Sequence, residues 1–227
     1  MNTLERQLSK APSDYVTSSE LDMLLQKSEN ARFSLVKRAL HKGILLKLRR
    51  GLYRRSDYLE QEKPHTFEMA QHIYWPSYVS LESALSFHEL IPEAIYNTTS
   101  VTTRRANVFE NAFGRFEYHR LPKKNFFLGV VRTIENKHVF FVANPWKAIT
   151  DYLFCYNKKW TTLIPLRESL RIEIEHLPLL DIEFANKLDH YYGRNEISLF
   201  LKAALEYQHE RTNYSRSPRK LSMQKRT

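Results

Sequence analysis

Between Lys27 and Arg55 the chain carries ten Lys or Arg and a single acid, Glu29. The same stretch is patterned as helix, turn, helix and a basic hairpin with a glycine at its tip. A second basic run, Arg211–Thr227, adds six bases and no acid. Taking those sixteen bases and one acid from the totals of 35 and 25 leaves 19 bases against 24 acids, so the remainder is mildly acidic. The positive charge is local, as on a surface that meets a polyanion. Double-stranded DNA is the leading candidate.

With 227 residues, 42% of them hydrophobic, the chain has material for one large or two ordinary domains. An aromatic share of 13% argues against wholesale disorder. The lone Cys155 excludes a disulfide framework and a CxxC metal site, and fits a reducing, cytoplasmic setting. No apolar run approaches the ~20 residues of a membrane span. The start, MNTLERQLSK, has no signal-peptide core. No membrane association is expected.

Thr17 and Glu20 have capping-box spacing, with Val16 and Leu21 at the staple positions. A helix through Leu21, Leu24 and Leu25 should run to about Lys27, followed by a turn at Ser28-Glu29-Asn30. Asn30 would cap a second helix reaching Lys42, and Gly43 would end it. At ~100° per residue, Ala31, Leu35, Val36, Ala39 and Leu40 share one arc, and Asn30, Ser34, Lys37, Arg38 and His41 lie opposite. Residues 44–48 and 52–55 read as the two strands of a hairpin around Arg49-Arg50-Gly51. With a further helix over residues 4–13, residues 1–58 form an expected winged helix–turn–helix.

The polar segment Ser56–Pro64 reads as a linker. Residues 65–209 carry helical patterns at 66–74, 80–89, 163–171, 181–190 and 195–208, and after the Asn144-Pro145 cap. Strand patterns fall at 98–103, 113–120, 128–134 and 137–142. The expected fold class is α+β: a winged helix–turn–helix, then a mixed α/β domain with a small, mostly antiparallel sheet. Residues 210–227 form a basic tail, expected to be disordered in isolation; it is a candidate second phosphate-binding arm.

Lys37, Arg38, Lys47, Arg49, Arg50 and Arg54 are expected to neutralise phosphates. Asn30, Arg32 and Ser34, at the start of the second helix, suit base edges or register. Leu52 and Tyr53 suit packing within the wing. Nine scattered histidines show no HxH, HxxxH or HExxH spacing, so no metal site is expected. Five glycines leave no phosphate-cradling loop. The chain is read as a non-enzyme without a cofactor. The enzyme alternative is a magnesium-dependent nuclease using Glu117, Glu135 and Lys137. Asp151, among apolar neighbours, reads as a hydrogen-bonded structural carboxylate.

An ordered set of segments resembles the AbiEi-type antitoxins, the transcriptional regulators of type IV toxin–antitoxin systems. They are Tyr15–Leu21, Leu40–Leu45, Leu48–Tyr53, Tyr78–Leu85, Val101–Thr103, Phe113–Tyr118 and Asn144–Asp151. The resemblance implies a winged helix that represses its own operon by binding inverted repeats in the promoter. It also implies a C-terminal domain that counters a nucleotidyltransferase-like toxin. It supplies no catalytic residues, and leaves open binding by monomers or by a homodimer. The chain departs from the family's pattern at Trp146 and Thr150 and in its basic tail, so a standalone winged-helix regulator is the alternative.

Overall fold

The computed structural model describes residues 3–8, 11, 13–56, 64–92, 95–122 and 124–216. The chain enters through α1 (Thr3–Leu8) and β1 (Tyr15–Thr17), then forms α2 (Ser18–Leu25) and α3 (Glu29–His41). The capping box at the start of α2 is complete: Glu20 N–H donates to Thr17 Oγ1 at 3.2 Å, and Thr17 N–H donates to Glu20 Oε2 at 2.6 Å. Losing such a cap costs about 1 kcal/mol. Val16 and Leu21 are both buried, as staple residues require. The cap of α3 is Ser28 rather than Asn30; no side chain accepts a bond there, and Asn30 lies inside the first turn. Gly43, at φ +70°, follows the end of α3 in the left-handed conformation that stops a helix.

Two antiparallel strands follow, β2 (Leu45–Arg49) and β3 (Leu52–Arg55), and β1 pairs with β3 to give the order β1-β3-β2. Gly51 turns the hairpin at φ +77°, which a side chain would resist. A register shift between Lys47 and Arg49 marks an irregularity at Leu48. On one side of this small sheet, Val16, Leu21, Leu25, Val36, Ala39 and Leu45 close a core with Leu4 and Leu8 of α1. The expected linker lies largely outside the described residues, which omit 57–63.

The larger sheet has six strands in the order β6-β7-β5-β4-β9-β8. They are β4 (Ser77–Val79), β5 (Asn97–Thr102), β6 (Asn107–Asn111), β7 (Gly114–Arg120), β8 (Val130–Glu135) and β9 (His138–Ala143). The sheet is mixed and larger than expected: three of its pairings are antiparallel, and β4–β9 and β5–β7 are parallel. α4 (Thr66–Ile73) precedes β4, and α5 (Leu81–Phe87) links β4 to β5. α6 (Pro145–Cys155), α7 (Ile164–Leu170), α8 (Ile182–Tyr192) and α9 (Asn195–Arg216) follow β9. α9 carries helix into the expected tail; residues 217–227 lie outside the described residues. No described helix is long and apolar enough to cross a membrane.

α6 is fastened through a fully buried ion pair, Lys147 Nζ to Asp151 Oδ1 at 2.7 Å. Asp151 also accepts from Ser80 Oγ at 2.6 Å, from Tyr78 OH at 3.1 Å and from Tyr192 OH. Lys147 Nζ stands 4.2 Å from the Tyr191 ring centroid and 4.8 Å from that of Tyr192. One carboxylate thereby joins β4, α6 and α8. Burial lowers the Lys147 ammonium pKa while Asp151 opposes that shift. Replacing Lys147 by Met strands a buried carboxylate and is expected to cost about 3–5 kcal/mol, read from the urea midpoint; Asp151→Ala, which strips four donors of their acceptor, is expected to cost at least as much.

Candidate nucleic-acid interface

The two-sided pattern of α3 places Val36 and Ala39 in the core with Leu35 and Leu40 partly covered. Asn30, Phe33, Ser34, Lys37, Arg38 and His41 are all exposed along the other side. Arg38 Nε donates to Ser34 O at 3.3 Å, which lays its guanidinium along the helix. Lys47 on β2 and Arg50 at the hairpin tip are also exposed. All of these positions are polar or cationic apart from Phe33, and Lys27 and Lys42 are exposed at the two ends of α3. Beside it, α2, α3 and β3 enclose a groove of about 290 Å³ lined by Leu21, Asn30, Phe33, Val36 and Tyr53.

Four of the ten bases in the window have other work. Arg32 turns back to an ion pair with Asp22 of α2, tying the two helices and leaving its charge neutralised. Arg49 is half-buried: its Nε donates to Ile73 O at the end of α4, and its Nη1 to Arg50 O at 2.9 Å. Arg54 does not stand at the edge of the hairpin, as expected, but is 2% exposed. Its Nε donates to Asp14 Oδ2 at 2.7 Å, and its guanidinium lies 5.5 Å from the Tyr15 ring centroid and 6.0 Å from that of Phe113. Period-two alternation around Tyr53 turns Arg54 inward, away from any phosphate. Arg55 is buried too, its Nη1 donating to Leu8 O at 2.6 Å. The exposed Phe33 escaped the sequence reading, although helical spacing sets it beside Lys37.

Arg49 and Arg54 belong to a seam. The second side of the small sheet offers Tyr15, Leu48 and Leu52, which pack with Met69, Ala70 and Ile73 of α4 and Phe116 and Tyr118 of β7. Asn111 Nδ2 donates to Leu48 O at 3.2 Å, and Tyr118 OH donates to Ala70 O at 2.6 Å. Tyr15 stacks on His72 at 3.8 Å. Further along α4, His138 Nδ1 and Glu68 Oε2 are 2.9 Å apart, and His65 stacks on Phe140 at 4.6 Å.

The nuclease trio is not assembled. Glu117 lies on β7, bonded to Arg115 and Asn97, whereas Glu135 ends β8. Four strand spacings separate β7 from β8, about 19 Å. Asn136 and Lys137 form the tight turn after Glu135, at φ +46° and +69°. Among the described residues no group of three or more His, Cys, Asp or Glu is arranged to hold a metal. Neither the protein-family models nor the curated proteins compared with this chain give a match.

Burial pushes the His72 and His65 imidazoles below their ordinary pKa; Glu68 and Asp14 oppose this at His72, and Glu135 and Glu68 at His65. The folded state therefore holds these rings neutral while the unfolded chain binds protons below about pH 6.5. Stability is expected to be full above that pH and to fall as the solution is acidified. His72→Phe, which keeps a ring on Tyr15 without a titrating nitrogen, should flatten part of this slope in denaturant titrations from about pH 7 to pH 5.

Proposed function

We propose that this chain is a sequence-specific, DNA-binding transcriptional repressor. Its α2 and α3 act as a helix–turn–helix and its β2–β3 hairpin as the wing. The observation that carries this reading is the exposed side of α3, where Asn30, Ser34, Lys37, Arg38 and His41 form one polar row, with Lys47 and Arg50 exposed on the hairpin that follows. A second helix with one buried and one basic side, seated on a first helix, is what major-groove insertion requires. Lys37, Arg38, Lys47 and Arg50 would pair with phosphates, giving salt-dependent affinity that carries no sequence information. Asn30 and Ser34, in the first turns, are the polar side chains placed for base edges. Arg32 and Arg49 act indirectly, by holding α3 against α2 and the hairpin against α4. Arg54 has no part in contact.

The likeness to AbiEi-type antitoxins extends the proposal: the operator lies in the protein's own promoter, and the six-stranded part with its helices restrains a nucleotidyltransferase-like toxin. A standalone regulator would use the same DNA surface without that partner. Co-purification with the product of the adjacent reading frame separates the two.

In a gel shift with the protein's own promoter, the triple variant Lys37→Ala, Arg38→Ala, Arg50→Ala should bind at least tenfold more weakly, with a salt slope smaller by about three. Its thermal midpoint should match that of the parent, because all three side chains are exposed. Unchanged retention, or a parent protein indifferent to DNA at low salt, removes the reading.

A further inference from the structure

On the cationic side of α3 one side chain is neither polar nor charged. Phe33 is 68% exposed, one turn after Asn30, one turn before Lys37 and next to Ser34. A phenyl ring left in water gains nothing for the fold, and its own helix already fills the core with Val36 and Ala39. Its setting states what should cover it. Lys37 stands one turn on, Arg38, Lys47 and Arg50 are exposed as well, and the acid nearest in sequence, Glu29 at the helix start, lines the same groove as the ring. An apolar protein surface would have to desolvate those cations, whereas a duplex satisfies them.

We propose that Phe33 is a specificity-determining residue that reads thymine, its ring packing on the C5-methyl group in the major groove. This rests on α3 being the recognition helix. Thymine alone presents an apolar group on that edge, where cytosine presents an N4 amino donor that a phenyl ring would leave without a partner. Asn30 stands three residues earlier, about 4.5 Å along the helix axis, close to one base step. Its amide suits adenine N6 and N7, so the pair together would favour A·T-rich steps within the operator.

Deoxyuridine differs from thymidine only in lacking the methyl group, which gives a direct test. Duplexes retained by the full-length protein from a random pool are sequenced, and each thymine of the best binder is replaced singly by deoxyuridine. The parent protein should lose about threefold to fivefold in affinity at one position per site, the worth of one buried methyl. Phe33→Ala should bind both forms equally, with an unchanged salt slope, and Phe33→Leu should keep part of the preference. The proposal is overturned if the parent ignores every replacement, or if Phe33→Ala keeps the parent's discrimination. A ring that serves a second protein instead gives the first of these outcomes. In both, salt-dependent retention of DNA still stands; if no duplex is retained at all, the repressor reading falls with this one.

Discussion

A three-stranded sheet with two apolar sides cannot stay in water by itself, and this constraint organises the molecule. One side of β1-β3-β2 is closed by α1, α2 and α3. The other offers Tyr15, Leu48 and Leu52, which α4 and β7 cover with Phe109 of β6 and Phe113 alongside. The alternation of side chains along a strand makes both demands at once: Val16 goes to the first core while Tyr15 goes to the second. Arg54 completes the seam, its charge met by Asp14 and its flat group set near the rings of Tyr15 and Phe113. A guanidinium is suited to that place because it is weakly hydrated and pairs with aromatic faces.

The local features of the fold were legible in the sequence. The Thr17–Glu20 box, the stop at Gly43, the Gly51 tip and the Asn144-Pro145 start each rest on chemistry within a few residues, and the structure carries all four. Asp151 as a hydrogen-bonded carboxylate follows from an acid set among apolar neighbours. What escaped was non-local. β4 is three residues long, too short to show a period, and β6 is bounded by asparagines that read as turn. The parallel pairings of β4 with β9 and β5 with β7 depend on where the chain returns, which residue patterns do not encode.

The candidate surface divides in the same way. Helical spacing alone identified the exposed row of α3, since a wheel requires only one element. The hairpin is harder to read, because charge on a strand does not by itself mean exposure. Lys47 and Arg50 are exposed, but Arg54 and Arg55 are not. In a strand the neighbour's direction decides, and Arg54 points to the side opposite Tyr53. Arg32 shows a further limit: its partner Asp22 lies on the preceding helix, so its neutralisation appears only once the two helices are packed. The surface left after these subtractions is smaller and better defined than the run of basic residues implied.

The bond from Arg49 to the carbonyl of Ile73 has a mechanical meaning. It pins the hairpin to the last turn of α4, with only Tyr74, Trp75 and Pro76 before the chain enters the large sheet. With the seam packed alongside, there is no slack joint at this point for a ligand to loosen. Anything gripping the large sheet would steer the N-terminal helices as a handle steers a blade, by rotating the whole body.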